Sequence, residues 1–293
     1  MGFITSFDPW RSKLCTCPEK YSFSPYTGCG HRCTYCYITS YVPRAFQPRV
    51  KNISILRLEK ELERLDKSKP ISMANSSDPY TPEEAQNLRM RAILPVLTRN
   101  GFKLLVVTKS DLVTRDIDLL SKGRVCVSMT VTTLNERVAK KLEPFAPHPV
   151  KRLRTLEALS KAGIPTMIRL DPLIPGINDD PGSISILLKA ASEAGVKQVT
   201  TSTYKAKPDN FSRVLSAFPE LEEKLMDVYA HGERVGRSTY MPRKIRRELV
   251  LKVREAAEEL SMDFASCREG FPELNTAGAC DGSHMLNSLK PTG

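Results

Sequence analysis

Residues 21–40 read YSFSPYTGCGHRCTYCYITS and contain three closely spaced cysteines, Cys29, Cys33 and Cys36, in the pattern C-x3-C-x2-C. A cubane iron–sulfur cluster is usually bound by four cysteine thiolates, one on each iron. Three thiolates in one short loop therefore leave one iron open, and a small chelating molecule can bind there. The spacing favours an iron–sulfur cluster as the centre around which the chain is built.

The residues between these cysteines fit a cluster better than they fit zinc. Gly28 and Gly30 allow tight turns close to a metal cluster. Zinc sites usually pair two C-x2-C knuckles or add histidines at a set spacing. His31 lies between the cysteines, where it cannot easily join them as a ligand. A zinc site and a chance group of cysteines are the alternatives.

The composition indicates a globular protein with one substantial core. The chain has 293 residues, of which 41% are hydrophobic and 26% are charged. It contains no run of 18 apolar residues, and the N-terminal MGFITSFDPWRSK lacks the apolar core of a secretory signal, so we expect no membrane partner. Eight cysteines fit metal binding in a reducing cytoplasm better than they fit disulfides.

The charge balance indicates an anionic partner. The net charge is +11, and much of the excess lies in segments 44–51, 150–161 and 241–254. We expect the partner to be nucleic acid, either DNA or RNA. The alternative is that these segments form solvated helix faces.

Strands and helices alternate along the chain. Six segments read as strands, at 21–26, 71–77, 102–108, 125–132, 165–176 and 196–205. Helical spacing of apolar residues fills the intervals between them. This alternation predicts an α/β fold with parallel strands and outer helices, a partial TIM barrel of the (β/α)6 type. We divide the chain into an N-terminal extension (1–20), the barrel (21–240) and a C-terminal helix with its tail (241–293).

Polar side chains gather at the C-terminal ends of the predicted strands. In barrels of parallel strands the chemistry lies at these ends. The residues are Asn75, Ser76, Ser77, Asp78, Lys109, Ser128, Thr130, Arg169, Asp171, Ser202, Thr203, Tyr204 and Lys205. A ligand would satisfy these groups, although ordinary strand caps explain part of the set.

The pattern C-x3-C-x-aromatic-C resembles the signature of radical S-adenosylmethionine (SAM) enzymes, and SPYTGCGHRCTYCY (24–37) resembles its spore photoproduct lyase-like branch. The resemblance implies a partial barrel, a [4Fe–4S] cluster on Cys29, Cys33 and Cys36, and SAM on the open iron. It implies reductive cleavage of SAM to methionine and a 5′-deoxyadenosyl radical, which takes a hydrogen atom from a nucleic acid or nucleotide. An electron donor such as ferredoxin or flavodoxin is implied as well.

The same resemblance implies contacts to SAM at individual positions. Tyr35 corresponds to the aromatic residue that packs beside the adenine of SAM. Lys109 in VVTK corresponds to a lysine that contacts the SAM carboxylate, and Ser128 in CVSMT corresponds to a serine that contacts the ribose. Ile174 in PLIPG takes the place of an adenine contact. The loop that binds the methionyl amino group corresponds to Asn75, Ser76, Ser77 and Asp78. Apart from the resemblance, Arg169 in the fifth strand is a further cofactor-binding candidate among the polar residues of the strands.

One position departs from the lyase pattern. In spore photoproduct lyase a cysteine opens the Cys-(Thr/Ser)-Ser-Asp segment, and its thiol returns a hydrogen atom to the product radical. Asn75 stands there in this chain, and an amide has no readily donated hydrogen atom. Tyr37 and Cys126 are therefore the candidate catalytic residues for quenching a radical, unless the enzyme acts on a different substrate. A plain core position is the alternative for Cys126.

Four more cysteines lie near the two ends of the chain: Cys15, Cys17, Cys267 and Cys280. Chain ends often lie close together in folded domains. Four thiolates that meet there would hold a second iron–sulfur cluster or a zinc ion. His284 in ACDGSH is a substitute ligand candidate, and four free thiols are the alternative.

Two other functions compete with this interpretation. A radical SAM enzyme can act on a peptide or a small metabolite instead of nucleic acid. A metal-stabilised nucleic-acid-binding protein can also use the same scaffold without catalysis. A fold by itself does not identify the substrate of an enzyme, so the substrate class has to be inferred from the residues of the site.

Overall fold

Twelve strands are found in residues 2–7, 13–73 and 76–287, which are the residues that this computed structural model describes. In chain order they are β1 (Thr5–Ser6), β2 (Tyr21–Phe23), β3 (Tyr26–Thr27), β4 (Arg49–Val50), β5 (Ile71–Met73), β6 (Leu104–Thr108), β7 (Val125–Thr130), β8 (Thr166–Leu173), β9 (Gln198–Thr203), β10 (Glu233–Val235), β11 (Ser238–Tyr240) and β12 (Asp263–Ser266). Eight of them form one sheet in the order β1-β2-β5-β6-β7-β8-β9-β12. All neighbours in this sheet pair in parallel except β1 and β2.

Helices connect successive strands and cover the outside of the sheet. They are α1 (Ile55–Leu62), α2 (Glu84–Asn87), α3 (Arg89–Arg99), α4 (Ile117–Leu120), α5 (Glu136–Leu142), α6 (Pro149–Lys161), α7 (Pro181–Glu193), α8 (Pro208–Ala217), α9 (Glu222–Ala230) and α10 (Arg243–Glu259). Several begin as their sequences suggest. The Asp180 side chain caps α7 by accepting from Ser183 N at 2.8 Å, and Pro181 occupies the first turn.

The predicted partial barrel of parallel strands is confirmed. The six predicted strands correspond to β2, β5, β6, β7, β8 and β9. Strand β6, LLVVT, has an almost continuously buried apolar sequence, as expected for a parallel strand covered on both faces. The sequence analysis missed both edges of the sheet, where β1 pairs with β2 and β12 pairs with β9.

The C-terminal part contributes directly to the barrel. Strand β12 extends the sheet in parallel with β9, and α10 packs on α7 and β9. The division at residues 20 and 240 stays a prediction, but the last part contains structural elements of the sheet itself.

The inward face of the sheet is covered at one end by the tail. Leu105, Cys126 and Met167, all near the beginning of their strands, pack against Leu286. On β9, the Thr200 hydroxyl donates to Cys280 O at 2.7 Å. Because the strands are parallel, the tail lies at the end of the barrel opposite the C-terminal strand ends. The polar strand ends are therefore left at the other end.

None of the helices in the described part of the chain is both long enough and apolar enough to cross a bilayer.

Candidate active site

The cysteine loop follows β3 at the C-terminal end of the barrel strands. Cys29 N donates to Ala45 O at 2.8 Å, and Cys36 N donates to Cys33 O at 3.1 Å. Gly28 has a φ of +84°, and a Cβ atom there would lie 2.6 Å from Ala45 O. The turn that begins the loop therefore requires glycine at this position.

The three thiols of the loop share one environment. The electrostatic neighbours of Cys33 include both Cys29 and Cys36. The main-chain N–H groups of Asp78 and His31 lie close to the Cys29 sulfur. Burial raises the pKa of Cys29 to about 12 and raises the pKa of Cys33 well above its usual value. These thiols are therefore neutral by themselves and become thiolates when a metal replaces their protons.

The chemistry of the loop residues fits an iron–sulfur cluster. A cubane takes one thiolate on each iron. Cys29, Cys33 and Cys36 offer three neighbouring thiols, with Lys109 as a nearby cation. Binding of the cluster itself stays a prediction.

Lys109 supplies the positive charge beside the thiols. Its side chain lies within electrostatic range of Cys33 and Asp78, and its Nζ stands 5.6 Å from the centroid of the Tyr35 ring. Burial alone would lower the pKa of Lys109, but its neighbours Cys33, Glu143 and Asp78 raise it. The group therefore stays cationic, as a contact to the SAM carboxylate requires.

A buried ion pair anchors the loop to the barrel. The Tyr35 hydroxyl donates to Glu143 Oε1, and Arg152 Nη1 donates to Glu143 Oε2. Both side chains of the ion pair are fully buried. Burial alone would raise the pKa of Glu143, but the Arg152 guanidinium and then Lys109 hold it below its usual value. The sequence analysis missed Glu143 and Arg152 because only the folded chain brings them to the loop.

Arg213 on α8 holds the same loop from the other side. Its Nε donates to Thr34 O at 3.1 Å, and its Nη2 donates to Cys36 O at 2.9 Å. Two main-chain carbonyls flanking Tyr35 are thus fixed by one guanidinium. No motif in the sequence indicated this role.

Asp78 organises the strand ends around the loop. Its carboxylate accepts from the Thr108 hydroxyl at 2.6 Å and from Lys109 N at 2.8 Å, and its Oδ2 lies 3.2 Å from His31 Nε2. Burial alone would raise the pKa of Asp78, but the nearby His31, followed by the hydrogen bonds from Thr108 and Lys109 N, lowers it. The structure therefore gives Asp78 a positioning role for Lys109, while its predicted contact with SAM stays a prediction.

The other predicted SAM contacts have different surroundings. The buried Ser77 hydroxyl donates to Tyr26 O at 2.9 Å, whereas Ser76 is half-buried. Ser128 is buried, and its hydroxyl has no partner among the described residues, so it can receive a ligand. Ile174 is a core residue whose N–H donates to Asn178 at 2.8 Å. Asn75 lies outside the described residues.

A charged region lies beside the cysteine loop on the inward face. Arg169 Nη2 donates to Asp171 Oδ2 at 2.6 Å. Both of these side chains, together with Arg268, lie within electrostatic range of Tyr37. Arg268 Nε is buried without a hydrogen-bond partner in the described part of the chain. Arg268 is a candidate ligand contact that the sequence analysis missed.

The two predicted radical-quenching residues lie in different places. Tyr37 directly follows Cys36 and is 41% exposed, so a substrate can approach it. Cys126 is fully buried against Leu105, Met167 and Leu286, at the tail end of the barrel. This burial is what the alternative interpretation of Cys126 as an ordinary core residue predicts. A catalytic role for Cys126 stays an untested prediction.

The four terminal cysteines come together. The Cys17 and Cys280 sulfur atoms are 3.5 Å apart, although 263 positions separate them in sequence. Cys15 lies within electrostatic range of Cys17, and Cys267 lies within electrostatic range of both Cys280 and Cys17. His284 Nδ1 is buried without a hydrogen-bond partner among the described residues.

The basic segment 241–254 is largely occupied by internal contacts. Arg246 is buried and donates to Glu269 O at 2.6 Å. Lys252 donates to Asp179 O at 3.1 Å. Lys244 and Arg247 are exposed. Part of the positive charge on α10 is therefore structural, and the exposed remainder is available to an anionic partner.

Comparisons of sequence agree with this arrangement. The family model described as Radical SAM superfamily matches residues 23–184. An uncharacterized protein of Acidianus two-tailed virus is 29% identical over 59% of this chain and 63% of its own length. An uncharacterized protein of Methanocaldococcus jannaschii is 32% identical over 55% of this chain and 62% of its own length. The matches thus span less than two thirds of these relatives. A protein of Pseudomonas phage M6 named Radical SAM Nalpha-GlyT isomerase is 24% identical over 89% of this chain and 59% of its own length.

Solved structures share the fold. Spore photoproduct lyase complexed with dinucleoside spore photoproduct superposes with a TM-score of 0.68 at 17% identity, over 90% of this chain and 78% of the lyase chain. Streptococcus suis SuiB bound to precursor peptide SuiA gives a TM-score of 0.59 at 13% identity, over 86% of this chain and 50% of SuiB. At these identities the likeness concerns the fold alone.

Proposed function

The chain belongs to the radical SAM superfamily, and on that premise we propose that it binds a [4Fe–4S] cluster through Cys29, Cys33 and Cys36 and acts on a nucleic acid or nucleotide. When bound, the cluster and SAM supply a 5′-deoxyadenosyl radical through one-electron reduction, and this radical takes a hydrogen atom from the substrate. The protein contributes binding, orientation and exclusion of side reactions.

Buried polar groups around the loop support the SAM part of the proposal. Lys109 offers a cation to the SAM carboxylate, and Ser128 offers a buried hydroxyl that no described residue uses. Asp78 fixes the main chain at Lys109, and Glu143 fixes the Tyr35 ring beside it. A ligand that satisfies these groups lowers the cost of keeping them buried.

The charged inward face carries the substrate part of the proposal. Arg268 has a buried N–H without a partner among the described residues, and it lies near Tyr37 beside the cysteine loop. A guanidinium in this position suits a phosphate group of a nucleotide. The solved lyase structure contains a dinucleoside photoproduct, which is consistent with this class of substrate.

Formation of 5′-deoxyadenosine tests the chemistry. Anaerobic protein mixed with SAM and dithionite should release 5′-deoxyadenosine and methionine. The Cys36→Ala variant should lose this activity because one cluster ligand is gone. Cys126→Ala should keep it, because its thiol lies in the apolar group at the tail end of the barrel. Iron-loaded wild-type protein that forms no 5′-deoxyadenosine would refute the proposal, because a bound cluster would then be inactive toward SAM.

Salt-dependent binding tests the substrate class. The affinity for DNA or RNA oligonucleotides should fall steeply as salt rises, because phosphate contacts release counterions. Arg268→Ala should weaken binding about tenfold, which corresponds to about 1.4 kcal/mol. The control is Arg99→Ala, the same substitution on the outer helix α3, which should leave the affinity unchanged. Binding of peptides with no affinity for oligonucleotides would favour the alternative, a peptide substrate like the one bound by SuiB.

Tyr37 is our candidate for returning a hydrogen atom to the product radical. Tyr37→Phe should still form 5′-deoxyadenosine but release less product, with more SAM consumed for each product molecule. Unchanged coupling in this variant would exclude the role. We also propose ferredoxin or flavodoxin as electron donor and a cytoplasmic location, and reduced flavodoxin should replace dithionite in the assay.

A further inference from the structure

The four terminal cysteines form one continuous group of thiols. Cys17 and Cys280 have their sulfur atoms 3.5 Å apart. Cys15 lies within electrostatic range of Cys17, and Cys267 lies within electrostatic range of Cys280, so the interactions run from one thiol to the next. All four are free cysteines.

Opposite edges of the sheet bring these thiols together. Cys15 and Cys17 precede β2, whereas Cys267 directly follows β12, and Cys280 lies in the tail. The Lys20 ammonium pairs with Asp281 across the same gap, and the Lys20 side chain is only 2% exposed. The thiols therefore bridge the open side of the partial barrel.

Main-chain contacts hold the tail in place at this site. Gln198 Nε2 donates to Ala279 O at 3.0 Å, and Thr200 Oγ1 donates to Cys280 O at 2.7 Å. Both donors are buried side chains on the inward face of β9. The position of Cys280 is thus set by the barrel wall and does not depend on the tail alone.

Positive charges accompany the sulfur atoms. The Lys20 ammonium lies within electrostatic range of Cys17, and the Arg169 guanidinium lies within electrostatic range of Cys267. These two cations can offset the negative charge of thiolates that bind a metal.

We propose that Cys15, Cys17, Cys267 and Cys280 bind a second metal centre, distinct from the cluster of the loop. Four cysteines are the usual ligand set both of a structural zinc ion and of an iron–sulfur cluster. Tetrahedral thiolates around zinc lie about 3.8 Å apart, close to the 3.5 Å between Cys17 and Cys280. Among the described residues, no three of these side chains meet at a site for a single ion, so binding requires side chains within the group to rearrange.

The centre fastens the two ends of the chain across the barrel opening. Arg169 interacts with both Cys267 and Asp171, and Asp171 lies within electrostatic range of Tyr37. The Arg169–Asp171 pair therefore links Cys267 of the proposed centre to the charged region beside the cysteine loop. This inference stands independently of the substrate that we propose.

Metal content in matched variants tests the proposal. A triple variant, Cys29→Ser with Cys33→Ser and Cys36→Ser, removes the ligands of the first cluster. Purified without oxygen, it should retain either about one zinc or about four irons with sulfide per chain. Adding Cys17→Ser and Cys280→Ser should remove that metal. Adding Cys126→Ser instead, which replaces a buried thiol outside the group, should leave the metal content unchanged.

The identity of the retained metal distinguishes zinc from an iron–sulfur cluster, and either result supports the proposal. A triple variant that is folded by circular dichroism but contains neither metal would overturn it. Metal retained after the change at Cys17 and Cys280 would also overturn it, as would a Cys17–Cys280 disulfide found by mass spectrometry in the anaerobic wild type. Wild-type protein that forms no 5′-deoxyadenosine leaves these metal measurements unaffected, so failure of the proposed function is recognised separately.

Discussion

Replacement of Glu143 by glutamine should destabilise the protein strongly. Glu143 and Arg152 are both fully buried and paired, and Tyr35 in the cysteine loop donates to the same carboxylate. Glu143→Gln leaves the Arg152 guanidinium buried without a counter-ion. Losing one partner of a buried ion pair costs about 3–5 kcal/mol.

We expect a value near the lower limit of that range. Arg152 keeps its bonds to Pro147 O at 2.8 Å and to Thr130 O at 3.0 Å, so part of its hydrogen bonding survives. A loss of about 3 kcal/mol is a large fraction of the 5–15 kcal/mol that usually stabilises a domain. The cysteine loop loses part of its anchor at the same time, so the iron content should fall as well.

Urea unfolding under anaerobic conditions measures this effect. The double variant Glu143→Leu with Arg152→Met should recover most of the lost free energy, because apolar residues of similar size replace buried ion pairs well. Tyr35→Phe, which removes only the hydroxyl, should cost about 1.5–3 kcal/mol. A Glu143→Gln variant within about 1 kcal/mol of the wild type would show that the pair is not the anchor that we describe. A double variant no more stable than the single one would lead to the same conclusion.

Three further predictions concern single side chains. Ser128→Ala should leave the stability of SAM-free protein unchanged or slightly higher, since the buried hydroxyl has no described partner, while calorimetry should show weaker SAM binding. Folding lowers the pKa values of Asp78 and Glu143, so these carboxylates stabilise the folded protein at pH values above their unfolded pKa values of about 4. This stabilisation is lost as the pH falls through their lower pKa values in the folded protein. Asp78→Asn should make acid unfolding less steep, and an unchanged slope would contradict this account. Arg246→Met should lower the free energy of unfolding by about 3 kcal/mol, because Arg246 is buried against Glu269. Arg247 is exposed, so Arg247→Ala should change the free energy of unfolding by less than about 0.5 kcal/mol while it weakens oligonucleotide binding.

The sequence by itself determined the features that depend on local spacing. The positions of Cys29, Cys33 and Cys36 indicated a cluster loop, and the alternation of apolar strands with amphipathic helices indicated the partial barrel. Both signals arise because neighbouring residues share one element or one ligand. The polar strand ends were predicted as a group for the same reason, since parallel strands present their C-terminal ends at one edge, and their role at the site stays a prediction.

Only the tertiary structure decided which distant residues support the site. Glu143 and Arg213 contact the loop from more than 100 positions away, and no local pattern identifies such partners. The sequence suggested that the terminal cysteines would meet only if the chain ends closed on each other. Pairing of β12 with β9 and the anchoring of the tail inside the barrel bring them together. These contacts depend on how the whole sheet curves and packs, which is a long-range property that residue spacing does not contain.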